Sequence, residues 1–105
     1  MNTAMWILMT DDGTVDPPVV IRLSSAAART VGRANRSDFV LDAALVSRVH
    51  CRLTTDARGE LTVEDLDSTN GTFVNDQRVS GRAALSAGDR LRVGRVELSV
   101  KRADS

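Results

Sequence analysis

The sequence contains one cysteine, few aromatic residues and no net charge. A lone Cys51 excludes an internal disulfide and leaves no partner thiolates for a tetrahedral metal site, which is typical of a reducing compartment. Aromatic residues make up 3% of the chain, so it lacks a stacking platform for single-stranded nucleic acid. Fourteen basic and fourteen acidic side chains cancel, and no global field attracts nucleic acid or anionic lipid. We therefore expect no metal, no cofactor and no nucleic-acid partner.

Long hydrophobic runs are also absent. The first ten residues, MNTAMWILMT, contain only a short apolar run and no cationic region, unlike a signal peptide. No apolar stretch approaches the ~20 residues that span a bilayer. These absences predict a cytoplasmic protein that does not contact a membrane.

The length and the overall composition are typical of one globular domain. A chain of 105 residues and 11.3 kDa can bury a single core, and its composition of 42% hydrophobic and 27% charged residues is ordinary for a folded protein. We predict a single domain over residues 1–105, with its core at about 5–101 and a short polar tail at 102–105.

Short apolar or β-branched runs, separated by turn residues, recur along the whole chain. No stretch shows a period of 3.6 residues over three turns, so no helix is predicted. Because half-buried strands must cover each other's apolar faces, this pattern predicts an all-β, two-sheet β-sandwich. The eleven candidate strands are Met5–Thr10, Pro18–Leu23, Arg29–Gly32, Phe39–Leu41, Val49–Thr54, Glu60–Leu66, Thr72–Val74, Gln77–Val79, Ala83–Leu85, Arg90–Val93 and Val96–Lys101.

The charges are segregated along the chain. Residues 29–52 contain five arginines and two aspartates, a difference of +3. Residues 56–67 contain five acidic residues and one arginine, a difference of −4. A local cationic surface is therefore the first indication of function.

Two polar loops carry the groups that a phosphate monoester on a peptide requires. Arg33 and Arg48 can each present a planar guanidinium to phosphate oxygens, and Ser47 adds a hydroxyl donor. The second loop, residues 67–72, supplies hydroxyl groups and the amide of Asn70, which can bind a peptide backbone. Loops on a rigid sandwich commonly carry binding groups, so a phosphopeptide site is predicted.

Three separated motifs identify a family that fits this reading. Residues 32–33 (Gly-Arg), 47–50 (Ser-Arg-Val-His) and 68–72 (Ser-Thr-Asn-Gly-Thr) resemble, in order and spacing, those of the forkhead-associated (FHA) domain. The resemblance runs from about residue 5 to 101. It implies an eleven-stranded β-sandwich whose loops at one end bind phosphothreonine peptides.

The resemblance also implies a role for each residue that matches a motif. It places Arg33 and Ser47 on the phosphate, Arg48 beside it and Thr69 near it, while Asn70 binds the peptide backbone. The chain departs from the family at one position, since Asp76 stands where glycine is common. Contacts to peptide residues beyond the phosphate are therefore expected to differ from those of the family.

Residues around these motifs divide into supporting residues and flank contacts. His50 is expected to support the loops, because a lone histidine is more often structural than a ligand, and Gly32 and Gly71 allow tight turns. Four further polar residues are candidates for contacts to the peptide flanks. These are Asn35, Arg36, Ser68 and Asn75. The alternative for Ser68 is to cap its own turn.

Two other functions are alternatives to phosphopeptide binding. An enzyme would need Ser47 and His50 as nucleophile and base, but residues three apart in an extended strand point to opposite faces and no nucleophile elbow is present. The same fold can also serve as a phosphate-independent interaction or self-assembly module. We predict a non-enzymatic signalling adaptor, monomeric, whose partner is a phosphothreonine protein made by a Ser/Thr kinase.

Overall fold

The computed structural model describes residues 4–11, 13 and 15–104, and its eleven strands confirm the predicted count. No helix appears among the described residues, and none could therefore span a membrane. The strands are β1 (Ala4–Thr10), β2 (Val20–Ser24), β3 (Ala28–Gly32), β4 (Phe39–Val40), β5 (Cys51–Thr55), β6 (Leu61–Asp65), β7 (Thr72–Val74), β8 (Gln77–Arg78), β9 (Arg82–Leu85), β10 (Arg90–Val93) and β11 (Val96–Asp104).

The strands form two sheets, as predicted. One sheet has six strands in the order β2-β1-β11-β10-β7-β8, and the other has five in the order β4-β3-β5-β6-β9. In the described part of the chain, every pairing is antiparallel except that of β3 with β4. The first and last strands lie side by side in the middle of the larger sheet, which ties both ends of the domain together.

The core lies between the sheets and follows from the alternation of side chains. In β11, Val96, Leu98 and Val100 are buried, while the residues between them are half-buried on the outer face. Leu8 and Leu53, from opposite sheets, are also fully buried. Burial of each such side chain contributes about 1.5–3 kcal/mol, so the sandwich is a rigid platform for its loops.

The last strand extends past residue 101, where the predicted core ends, into the segment predicted as a short polar tail at 102–105. Strand β11 continues to Asp104, because Arg102 and Ala103 pair with Trp6 and Met5 of β1. Strand pairing uses backbone groups and does not require the apolar alternation that ends at Lys101. Ser105 lies outside the described residues.

Strand β5 begins at Cys51, two residues later than predicted. The segment before it bends, and the His50 N–H donates to the Val31 carbonyl of β3 at 2.8 Å. The extended geometry assumed for residues 47–50 is therefore wrong. This bend places the predicted motif of residues 47–50 in a loop at the end of the sheet.

Candidate functional site

Three loops meet at one end of the sandwich and enclose an open depression of about 510 Å³. The loops connect β3 to β4, β4 to β5 and β6 to β7. They meet because the end of β3 lies beside the start of β5, which in turn pairs with the end of β6. Four predicted site residues line the depression together with the segment 42–46. They are Arg33, Ser47, Thr69 and Asn70.

Arg33 is oriented by the neighbouring loop. Its backbone N–H donates to the Ser47 carbonyl at 2.9 Å, and its side-chain Nε donates to the Val46 carbonyl at 3.1 Å. Within the described residues, neither terminal Nη nitrogen has a hydrogen-bond or ion-pair partner. The guanidinium is thus held in place at its inner edge, while its outer nitrogens remain available to an anion.

Ser47 joins the second loop to the third. Its Oγ accepts a hydrogen bond from the Thr69 backbone N–H at 3.1 Å, which leaves the hydroxyl hydrogen free to donate. Ser47 is half-buried and Thr69 is exposed. One hydroxyl donor and one further hydroxyl therefore stand beside Arg33.

Asn70 spans the depression to the facing loop. Its Nδ2 donates to the Leu45 carbonyl at 3.1 Å, and the side chain is exposed. Leu45 itself has a positive φ of 71°. The amide oxygen of Asn70 has no partner within the described residues, so it can accept a hydrogen bond from a ligand.

His50 lies beneath the depression and connects two of its loops. The side chain is fully buried, its Nδ1 accepts the Ser47 N–H at 3.0 Å, and its Nε2 lies 2.9 Å from the Gly71 carbonyl. This pair of bonds requires the neutral tautomer with hydrogen on Nε2. Burial lowers the pKa of His50, and the opposing effects of the Gly71 carbonyl and Asp65 are smaller. The ring supports the loops and does not line the depression.

The same two hydrogen bonds argue against an enzyme in which Ser47 is the nucleophile and His50 its base. The only lone pair of Nδ1 is occupied by the Ser47 backbone N–H, and Nε2 donates to a buried carbonyl. Neither nitrogen is left to accept the proton of the Ser47 hydroxyl. The geometry is that of a structural histidine.

A second network holds the loop between β6 and β7. The Asp65 carboxylate accepts hydrogen bonds from the hydroxyls of Ser68, at 2.6 Å, and Thr72, at 2.7 Å. Burial opposes ionisation of Asp65, but the hydrogen bonds from Ser68 and Thr72 outweigh it and lower the pKa of the carboxyl. The Ser68 Oγ also accepts the Gly71 N–H at 2.9 Å.

This network gives Ser68 a structural role and identifies Asp65 as a supporting residue that the sequence interpretation missed. Ser68 is buried and its hydroxyl is occupied, so it caps its own turn and does not lie at the rim as a flank contact. Asp65 was not predicted as a supporting residue. The signal was its position three residues before a serine, which is typical of a local side-chain-to-backbone turn.

Two glycines allow the loops to approach closely. A Cβ at Gly32 would overlap the Arg48 carbonyl oxygen and lie 2.7 Å from Ser37 Oγ. A Cβ at Gly94, whose φ is 61°, would lie 2.5 Å from the Leu45 carbonyl oxygen. Gly32, predicted to allow a tight turn, thus allows a close approach of backbone to backbone, and Gly94 supports the site from the turn between β10 and β11.

The remaining predicted residues lie outside the lining of the depression. Three of them are exposed at the end of the molecule that carries the depression, namely Arg48, Asn35 and Arg36. Within the described residues, the hydrogen bonds of these three are limited to those that the backbone carbonyl of Arg48 accepts. Asn75 does not fit a flank contact, because its side chain bridges Asp89, at 3.0 Å, and the Arg90 N–H, at 2.9 Å. Its hairpin is held by these bonds away from the depression.

Asp42 lines the depression and was not among the predicted site residues. In the sequence it counted only as one of two acidic residues within a basic stretch. Asp42 is exposed and lines the same depression as Arg33. The site therefore combines both signs of charge.

Comparison with known proteins supports the fold and the motifs together. A family model described as the FHA domain matches residues 29–94. Among curated proteins, the chain is similar to the transcriptional regulatory protein EmbR of Mycobacterium tuberculosis, with 38% identity over 68 residues. This match covers 65% of the chain but only 17% of EmbR, so the chain corresponds to a small part of that relative.

Solved structures give the same result. EmbR in complex with a low-affinity phosphopeptide has a TM-score of 0.72 at 29% identity, over 90% of this chain and 24% of that one. A structure from a study of phosphothreonine-dependent FHA domain interactions has a TM-score of 0.77 at 31% identity, over 94% and 95%. The FHA domain of CT664 from Chlamydia trachomatis has a TM-score of 0.84 at 23% identity, over 92% and 96%, and shows the fold alone.

Proposed function

The chain belongs to the forkhead-associated (FHA) domain family, and from this premise we propose that it binds phosphothreonine segments of partner proteins and acts as a signalling adaptor. The FHA domain is a binding module, so the chain is not an enzyme. The proposed partner is the product of a Ser/Thr kinase. The proposed contact residues are Arg33, Ser47, Arg48, Thr69 and Asn70.

One observation carries the proposal. Arg33, Ser47 and Asn70 come from three separate loops, yet they line one depression with donors and acceptors that have no partner within the described residues. A phosphate monoester carries a charge of about −1.5 to −2 at pH 7 and three strong acceptor oxygens. The free nitrogens of Arg33 and the hydroxyl of Ser47 match those oxygens in charge and in hydrogen-bonding type.

Arg48 and Asn70 complete the proposed binding mode from the rim. Arg48 is exposed at the same end of the molecule, so its flexible side chain can reach a bound phosphate. The Asn70 amide oxygen can accept a peptide N–H while its Nδ2 keeps the bond to Leu45. The peptide is thereby held by its backbone as well as by its phosphate.

The expected affinity is moderate. Charge-assisted hydrogen bonds each contribute about 1.5–3 kcal/mol, and three or four of them supply about 5–12 kcal/mol before costs. Association and ordering of the peptide cost several kcal/mol. We therefore expect a Kd on the order of 1 μM, weakening as the salt concentration rises.

Relatives provide independent support for this ligand class. EmbR has been solved with a phosphopeptide, and another similar structure comes from work on phosphothreonine-dependent interactions. These facts concern those proteins. They support the proposal because the chain shares their fold at 29% and 31% sequence identity.

Titration with three versions of one peptide tests the proposal. The phosphothreonine peptide should bind, the phosphoserine peptide more weakly, and the unphosphorylated peptide not measurably. Arg33→Ala should remove most phospho-dependent binding with little change in the thermal midpoint, since it deletes an exposed charge and no core contact. Arg58→Ala, an exposed arginine in the turn at the opposite end of the sandwich, is the matched control.

Two outcomes would contradict the proposal. Equal binding of all three peptides would indicate a phosphate-independent interaction module on the same fold. Retention of phospho-dependent binding in Arg33→Ala would show that the phosphate binds elsewhere on the domain.

A further inference from the structure

Asp42 is an acidic residue in a depression whose other lining residues are neutral or basic. Among the described residues that line it, Arg33 is the only cation and Asp42 the only anion. A carboxylate is an unfavourable neighbour for a phosphate dianion. Its position therefore needs an explanation that phosphate binding alone does not supply.

Asp42 is presented by an anchored segment. The Leu41 N–H donates to the Gly32 carbonyl at 2.7 Å, and the Ala43 N–H donates to the Leu41 carbonyl at 3.1 Å. Asp42 is thus the central residue of a tight three-residue turn. Leu41 and Val46, on either side, are both buried, while Asp42 is exposed. The backbone at Asp42 is therefore fixed beside the depression by the fold around it.

The two opposite charges of the depression do not neutralise each other. No ion pair or hydrogen bond joins Asp42 to Arg33, or to another residue in the described part of the chain. Arg33 instead uses its Nε to bind the Val46 carbonyl. Both charges are therefore available to a ligand, one to an anion and the other to a cation.

A bound phosphopeptide makes this arrangement selective for charge. The phosphate brings about −1.5 to −2 charges next to Arg33, and Asp42 shares the same depression. A peptide with Lys or Arg beside the phosphothreonine supplies a cation that is attracted by both the phosphate and Asp42. A peptide with Glu at that position adds a third negative group, which the phosphate and Asp42 both repel.

We propose that Asp42 is a specificity-determining residue that favours phosphothreonine peptides carrying a basic residue within three positions of the phosphothreonine. The inference rests on the proposed function and names the ligand class of the same site. Because Asp42 is exposed, an ion pair with it is partly screened by solvent, and a preference of about two- to fivefold for Lys over Ala is expected.

The test uses phosphothreonine peptides that differ at one flanking residue. Lys, Ala or Glu is placed in turn at each of the three positions on either side, and the Kd of each peptide is measured at low salt. At one or more positions, the wild-type chain should bind Lys better than Ala and Ala better than Glu. Asp42→Asn should abolish this order there, and Asp42→Lys should reverse it.

A matched control separates a local contact from a change in net charge. Asp67 is an exposed aspartate in the β6–β7 loop that does not line the depression, and its positive φ of 55° is well tolerated by asparagine. Asp67→Asn should keep the wild-type preference for Lys. Loss of that preference in Asp67→Asn as well would show that only the overall charge matters and would overturn the inference.

The other outcomes also decide the question. If Asp42→Asn strengthens binding of the Lys, Ala and Glu peptides by one common factor, Asp42 only repels phosphate and the inference fails. If the Ala peptide binds in a phosphate-dependent way but Lys gives no advantage at any position, the inference fails while the proposed function stands. If no phosphopeptide binds the wild-type chain, both fail together.

Discussion

Replacing His50 by alanine tests whether one buried ring holds two binding loops together. The ring accepts the Ser47 N–H at 3.0 Å and bonds to the Gly71 carbonyl at 2.9 Å, and alanine can make neither bond. Gly71 is buried, so loss of its partner costs the desolvation penalty of about 1–3 kcal/mol. Ser47 is half-buried, and its unpaired N–H adds about 0.5–1.5 kcal/mol.

The empty space left by the ring adds to this loss. His50 is fully buried, and truncation of a packed side chain of this size costs about 1–3 kcal/mol through lost contacts. We therefore expect the free energy of unfolding to fall by about 3–7 kcal/mol. This is a large part of the 5–15 kcal/mol that a domain usually has, so the variant should be only marginally folded.

Urea unfolding provides the measurement. The single tryptophan, Trp6, is 3% exposed in the native state, so its fluorescence reports the loss of the core. The affinity for a phosphothreonine peptide should be measured at a low temperature at which the variant remains folded. We expect this affinity to weaken, because the His50 ring no longer bonds to both Ser47 and Gly71.

The neighbouring Cys51 offers a control for simple destabilisation. It is also fully buried, but its thiol has no hydrogen-bond partner among the described residues. Cys51→Ala should cost about 1–2 kcal/mol and leave the affinity of the folded state unchanged. A loss below about 1 kcal/mol in His50→Ala, or wild-type affinity in its folded state, would refute the assigned role.

Three further predictions concern titration and close packing. Burial lowers the pKa of His50, so below about pH 6.5 the unfolded chain takes up a proton that the folded protein resists. The free energy of unfolding should therefore fall from pH 7.5 to 5.5, and this slope should be much smaller in His50→Gln. Burial, with a smaller contribution from Asp65, raises the pKa of Cys51 to about 12. A thiol reagent at pH 8 should therefore modify it only at the rate of global unfolding, and rapid modification of the native protein would contradict its burial. Gly32→Ala should lower the free energy of unfolding by about 1–3 kcal/mol and weaken phosphopeptide binding, because the new methyl group overlaps the Arg48 carbonyl; unchanged urea midpoints would refute this.

The strands and the binding motifs were accessible from the sequence because their signals are local. Alternation such as that of Val96, Leu98 and Val100 reflects the two-residue period of a strand between core and solvent. All eleven strands were predicted on this basis, with ends that differ by a few residues. Residue type and spacing likewise pointed to Arg33 and Asn70 before their positions were known.

Only the tertiary structure determines which residues lie together on one surface. Asp42 enters the depression because β3, β5 and β6 pair in a particular register, and nothing in its neighbouring residues indicates this. Asn75 is likewise excluded from the depression by tertiary structure, because its side chain bonds to Asp89 and Arg90 at the start of β10. The period of a strand is a property of consecutive residues, whereas the distance between loops depends on how strands distant in sequence pair and pack.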